Sequence, residues 1–363
     1  TVAVILIWSG NCLGADAAQR RHIEVAFDYS AAEVLLHALE SGSSAEAQMP
    51  AVLQNQGVAA TIKKMQVLFP PGNVQGYDAS ETGFKQAFRD AVTNHAGSPG
   101  VFKLTQVLAQ RVQIDELLQQ LHHREAGIKR RMSVVLGRYA PVGTPPRVTV
   151  NFVVGGSSDG FVIDDDPVFE LFVAINKAEG DEVGLEYNID HELYHVLQKA
   201  SGLRSSDYIR FVHSFKDQPP LEKLIATILW EGSATFAVDA RDFSGSGPYI
   251  SMWRGRYAAN ETVQRRRANF ALFDELATEL AAGEINWQEA YTRGFSNEQL
   301  YHVGREMTRA LVAAHSARYL DELFTRPPAE FFRDYIALCA RDGDLIPFST
   351  KTRGAIESLP AGW

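Results

Sequence analysis

Two histidines four residues apart, His191 and His195, enclose Glu192 in the run Tyr187-Asn188-Ile189-Asp190-His191-Glu192-Leu193-Tyr194-His195. This spacing constrains the chain more than any other feature. On an α-helix, positions i and i+4 stack on one face, so both imidazoles can reach a single cation. Imidazole nitrogen suits Zn²⁺ at about 2.0–2.1 Å. Glu192 falls about 100° further round the same helix, close enough to touch a metal-held water without ligating the metal. Zinc lowers the pKa of such a water towards about 7, and the carboxylate is then the base that takes its proton. Leu193, Val196 and Leu197 supply an apolar face, which argues against two ordinary histidines on a surface helix. The pattern predicts a zinc-dependent hydrolase.

A catalytic zinc generally takes three protein ligands and a water. Val196 to Arg204 contains no histidine, which excludes the metzincin arrangement. The other arrangement draws a glutamate from a later helix. Glu231, in Leu229-Trp230-Glu231-Gly232-Ser233-Ala234-Thr235-Phe236-Ala237, follows His195 after 35 intervening residues, enough for a loop and a helical return. Ile225, Ile228, Leu229, Phe236 and Val238 surround it, and an unpaired glutamate would be costly to bury among them. Gly232, Ser233 and Ala234 would let this helix pack closely on the metal helix. His213 and Glu222 are the rivals for third ligand. Asp239 and Asp190 are candidates to orient a ligand histidine through its second nitrogen. For the donor that stabilises an oxyanion opposite the metal, the candidates are Tyr301 and His302 in Leu300-Tyr301-His302-Val303-Gly304. Tyr257 and Tyr194 are weaker ones. The apolar run Val168 to Ile175 could be a sheet edge that pairs with an extended substrate backbone.

The wider chain reads as mostly helical α+β with a small β-sheet at its middle. Its 363 residues, 45% hydrophobic and 22% charged, are ordinary for a globular protein. Residues 18–140 read as a helical N-terminal lobe, with a capping box at Ser30-Ala31-Ala32-Glu33 and helices over 57–68, 81–95, 101–121 and 123–138. The character changes at Pro141, and residues 141–363 form the metal-binding region. Val148 to Val154 is a strand followed by a Gly-rich turn through Gly160. Helices follow over 187–201, 219–240, 262–281, 297–319 and 327–340, the fourth opened by a capping box at Ser296-Asn297-Glu298-Gln299.

Residues 1–17 differ from the rest. Val2 to Trp8 is purely apolar and Ala15-Asp16-Ala17 follows, the pattern of a secretory signal, here without its Met and basic start and so read as clipped. The run is too short for a membrane span, which needs about 20 apolar residues. The expectation is a secreted or periplasmic protein with no stable membrane insertion after cleavage. Net charge is −9 and no basic cluster stands out, so nucleic acid is not an expected partner. A peptide or protein substrate is.

His-Glu-Leu-Tyr-His at 191–195, Glu-Gly-Ser-Ala-Thr-Phe-Ala at 231–237 and Tyr-His-Val-Gly at 301–304 together resemble bacterial gluzincin-like zinc-dependent peptidases. Phe27-Asp28-Tyr29-Ser30 and Val153 to Phe161 extend the resemblance over most of the chain. It implies a zincin-like fold, one zinc held by His191, His195 and Glu231, catalysis by Glu192, and Tyr301 or His302 near the substrate. Arg305 stands where that family usually has an aromatic residue. The alternative reading is a non-catalytic, zinc-stabilised binding or scaffold protein that keeps the metal helix. A third is a zinc hydrolase acting on non-peptide amides.

Overall fold

The computed structural model describes residues 23–70, 77–93, 100–137, 147–163 and 169–360. The expected export signal at 1–17 and the change of character at Pro141 lie outside them. Four strands form one mixed sheet: β1 (Glu24–Asp28), β2 (Arg147–Val153), β3 (Gly160–Val162) and β4 (Glu170–Ala174), in the order β1-β2-β4-β3. β1 and β4 run parallel to β2, and β3 is antiparallel to β4. In β2, Val148, Val150 and Phe152 bury one face while Asn151 and Val153 are buried on the other. A strand covered on both sides suits the centre of a largely parallel sheet.

Before β2 stand helices α1 (Ser30–Glu40), α2 (Ala45–Gln54), α3 (Gln56–Leu68), α4 (Glu81–Val92), α5 (Leu104–Ala109) and α6 (Arg111–Leu136). After β4 come α7 (Glu182–Gly202), α8 (Ser206–His213), α9 (Pro220–Ala237), α10 (Pro248–Asn260), α11 (Val263–Ala282) and α12 (Trp287–Phe295). The chain closes with α13 (Gln299–His315), α14 (Arg318–Leu323), α15 (Pro328–Cys339) and α16 (Thr350–Glu357). The protein is therefore mostly helical α+β. No helix among the described residues is long and apolar enough to cross a membrane.

Several expectations need correction. The segment before Pro141 is not wholly helical, because Glu24–Asp28 is a strand whose partners lie more than a hundred residues away in β2. Local periodicity carries no sign of such a pairing. The run at Val168 to Ile175 is not a sheet edge: β4 is paired on both sides, and the edges are β1 and β3. Gly160, expected as the end of a turn, begins that edge strand. The turn itself holds at Gly155, whose φ of +89° suits glycine and whose added Cβ would come within 2.7 Å of the Phe102 carbonyl oxygen.

Neither expected capping box forms. Ser30 is the first residue of α1, and its N–H donates to Asp28 Oδ1 at 2.8 Å. Glu298, not Ser296, precedes α13, with no side-chain cap. The metal-motif helix α7 starts earlier than its periodicity suggests because Asp181 caps it, accepting from the Gly184 N–H at 3.0 Å. The other Asp181 oxygen accepts from the Ile250 N–H at 2.8 Å, which ties the start of α7 to α10.

α9 is seated by a backbone contact with α13. A Cβ on Gly232 would stand 2.3 Å from Gly304 Cα, and one on Gly304 would stand 2.2 Å from the Ile228 carbonyl oxygen. Gly232 thus faces α13 rather than the metal helix; it is Ser233 that meets α7, through Gln198. We expect Gly232→Ala to destabilise the fold by about 1–3 kcal/mol through overpacking. Gly255→Ala, in the middle of α10 where an added Cβ meets nothing within 4 Å, should stabilise by up to ~1 kcal/mol. Urea unfolding of the two variants checks the pair, and a Gly232→Ala midpoint equal to wild type would sink the packing argument.

Candidate metal centre

α7 presents His191 and His195 one turn apart, their ring centroids 5.0 Å from each other and their planes nearly perpendicular at 82°. α9 delivers Glu231 opposite them. Glu231 Oε2 lies 3.5 Å from His191 Nε2 and 3.4 Å from His195 Nε2. These three are the set of potential ligands that converges among the described residues, their donor atoms all within 4.8 Å of one another. The separations are long for N–H···O hydrogen bonds. They match a tetrahedral zinc site, in which donors at about 2.0–2.1 Å from the ion stand roughly 3.3–3.4 Å apart. Glu231, the third ligand expected from sequence, is the carboxylate of this set.

The protonation pattern around His195 argues for a cation independently of those distances. The Trp230 backbone carbonyl can only accept, so the Gln198 amide nitrogen must face it, at 2.7 Å. The same nitrogen donates to Ser233 Oγ at 2.9 Å, while the Ser233 hydroxyl donates onward to the Leu229 carbonyl at 2.6 Å. The Gln198 amide oxygen is thereby turned to His195 Nδ1, 2.9 Å away. Nδ1 of neutral His195 therefore carries the proton, and Nε2 keeps a lone pair aimed at Glu231. A lone pair facing a carboxylate oxygen at 3.4 Å is repulsive unless positive charge lies between them. Without metal a proton plays that part: burial pulls the His195 pKa down, but the Glu231 carboxylate overrides it and lifts the value to about 9. Burial opposes ionisation of Glu231, yet the two histidines hold its carboxyl well below the usual range. His191 Nδ1 is buried with no hydrogen-bond partner among the described residues.

The trio opens into a cavity of about 430 Å³. Glu192 forms part of its wall, and burial raises its pKa, opposed by the charge of His195 and His191. Gly160 of β3 packs on it so tightly that a Cβ there would come within 2.5 Å of Glu192 Cγ. Of the two oxyanion candidates, Tyr301 lines the cavity and His302 does not. His302 is buried edge-on against Tyr257, with ring centroids 5.3 Å apart, and burial pulls its pKa down to about 4. Tyr257 and Tyr194 are buried away from the cavity lining as well.

The rivals and expected orienting acids are elsewhere. His213 is exposed at the end of α8, and Glu222 borders a separate small cleft beside Phe211 and Pro328. Asp190 is fully buried facing Arg131, 3.7 Å away, and burial pushes it up to about 7 despite that guanidinium. Asp239 pairs with Arg241 and with Arg305, the latter at 3.0 Å. Arg305 is itself buried in that network, stacked on Tyr257 and outside the cavity, so its substitution for an aromatic does not alter the pocket wall. Gln198, missed in the sequence, does the orienting. Its position three residues after His195 and seven after His191, on the same helix face, was the available signal.

We expect Gln198→Leu to weaken zinc binding about 10–100-fold, as loss of an orienting partner does elsewhere, measured by competition with a fluorescent chelator. A pH effect follows from the His195 pKa, which the fold raises from 6.5 to about 9. The proton-bridged pair then contributes its full stability to metal-free protein below about pH 6.5, and that contribution is lost as pH rises through 9. Unfolding in the presence of a chelator should show this decline in wild type but not in Glu231→Gln. Identical pH profiles for the two proteins would contradict the assignment.

A family model described as "Putative zinc dependent peptidase (DUF5700)" matches residues 39–344, which contain the whole site. No curated protein and no solved structure matches the chain. With most of its length matched, the chain belongs to the family of that description.

Proposed function

We propose that the protein is a gluzincin-like metallopeptidase with a zincin-type core, in which His191, His195 and Glu231 hold one zinc ion and Glu192 is the catalytic base. The observation that carries this reading is the meeting of two imidazole nitrogens, each 3.4–3.5 Å from one carboxylate oxygen of Glu231, beside a second carboxylate in the same cavity. A mixed sheet whose antiparallel edge strand packs on the metal helix through Gly160 supports the fold assignment. Zinc, when bound, supplies Lewis acidity and brings the pKa of water to about 7.

The protein's own groups account for the remainder. Glu192, with its proton affinity raised by burial, accepts a proton from the attacking water and passes it to the leaving amine. Burial holds the Tyr301 hydroxyl well above its usual pKa, so it stays a neutral donor towards the developing oxyanion. The free edge of β3, with Gly160, Phe161 and Val162 on the cavity wall, offers backbone hydrogen bonds to an extended peptide. A carboxylate directed into a cavity beside the donor set favours an enzyme over a metal-stabilised scaffold. The same reading has the protein act outside the cytoplasm, on the strength of the apolar Val2–Trp8 run and Ala15-Asp16-Ala17.

Glu192→Gln should keep its zinc and lose about 10²–10⁴-fold in peptide cleavage; Tyr301→Phe should lose up to about 10³-fold in kcat with zinc unchanged. A screen of casein, peptide libraries and small amides against zinc-loaded protein makes the measurement. Full turnover in Glu192→Gln, or cleavage of small amides alone, would overturn the peptidase reading.

A further inference from the structure

The charged groups on the cavity wall are not equally engaged. Apart from Glu192 and Glu231, two acids line the cavity, Asp159 and Glu298. Both are matched. Asp159 Oδ2 accepts from the Tyr249 hydroxyl at 3.0 Å, and Lys177 Nζ approaches its other oxygen at 3.9 Å. Glu298, only 10% exposed in its side chain, accepts a hydrogen bond from Arg256 Nη1. The two cations on the wall, Lys64 and Arg256, are not equally spent. Lys64 has the Phe161 ring 5.7 Å away and no acid partner among the described residues.

Arg256 is the better built of the two. Its guanidinium lies over the Trp253 ring at 5.1 Å, and a buried Glu298 holds one end. Glu298 occupies the left-handed region with φ of +58°, an uncommon conformation for a non-glycine residue that persists only where its surroundings enforce it. Stacked and tethered in this way, the guanidinium has lost most of its freedom before any ligand arrives. Yet its side chain is 42% exposed, and Nε and Nη2 engage nothing among the described residues. A planar pair of free donors on a fixed base is the geometry that receives a carboxylate in two-point fashion. Trp253 and Tyr187 link this guanidinium to the metal centre, their ring centroids 5.3 Å apart and that of Tyr187 6.3 Å from His191. An extended chain advances about 3.3 Å per residue, so a carboxylate held there lies within a few residues of the bond at the metal.

We propose that Arg256, supported by Trp253 and Glu298 and assisted by Lys64, is a specificity-determining residue that selects peptides carrying a carboxylate, either a free C-terminus or an acidic side chain. This deepens the peptidase reading and rests on it for the identity of the ligand as a peptide. Neutral peptides leave the Nε and Nη2 donors to water, whereas a carboxylate engages both.

The test uses three hexapeptide libraries, all N-acetylated. One is uncharged with a C-terminal amide, one is uncharged with a free carboxylate, and one is amidated with a single internal glutamate. Binding to zinc-loaded Glu192→Gln protein is measured by calorimetry, and cleavage is measured with zinc-loaded wild type. One acidic library should bind at least about tenfold more tightly than the neutral one, and which of them does so identifies the source of the carboxylate. The preference should vanish in Arg256→Gln/Glu298→Gln, which removes both charges of the pair together, and should shrink in Arg256→Lys, which keeps the charge and loses the fork. Zinc content and melting temperature establish that each variant is folded. If the double variant does not fold, the library ranking and Arg256→Lys decide. Equal binding of the three libraries, or a preference that survives loss of the guanidinium, overturns the proposal. A carboxylate preference in binding with no cleavage by wild type would instead sink the peptidase reading and leave the subsite standing.

Discussion

A nitrogen lone pair of His195 and a carboxylate oxygen of Glu231 face each other at 3.4 Å, and the architecture around them keeps them there. With no positive charge between them the pair would repel, and each group would gain by turning to water. Gln198 prevents this for the histidine by clasping Nδ1 while anchoring itself to the Trp230 carbonyl and Ser233 on α9. One amide thus joins the two helices that supply the donors and decides which ring nitrogen is free. The Gly232–Gly304 contact presses α9 against α13 from the other side. Such a site is strained in electrostatic terms when empty of positive charge, a strain that a proton on His195 relieves.

The remaining face of α7 is held by charge. Glu182, Glu186 and Asp190 recur every four residues and meet Arg124 and Arg131 of α6. Glu186 and Asp190 are almost wholly buried there. Buried ion pairs of this kind add little net stability, because desolvation offsets much of the attraction, but breaking one side leaves an uncompensated charge. Their effect is to make any other rotation of α7 costly. With Asp181 capping its start and tied to Ile250, the metal helix is fixed in register, in rotation and at its end.

Environment then assigns different chemistry to residues of the same type. Glu231, between two imidazoles, is driven towards ionisation, as the proposed ligand role requires. Glu192 is desolvated on the cavity wall and has its proton affinity raised, as suits a group that takes and returns a proton. Glu298 serves a guanidinium instead. Tyr301 and His302 are neighbours in sequence, but a helix turns about 100° between them. One therefore faces the cavity and the other is buried on Tyr257, where its pKa falls to about 4.

Covalent spacing was enough to bring His191 and His195 together, since any helix through 191–195 stacks the two imidazoles, and the apolar company of Glu231 marked it as a carboxylate needing a buried partner. The long periodic helices were legible for the same reason: their pattern is local. Tertiary structure alone decided the rest. Pairing of β1 with β2 depends on hydrogen bonds between distant segments, and the choice of β3 as free edge depends on β4 being enclosed on both sides. Which of Tyr301 and His302 meets the cavity was set by how α13 rests on α9, a contact made by two glycines that carry no side-chain signal. What is local in geometry could be read from the chain; what depends on one element's rotation against another could not.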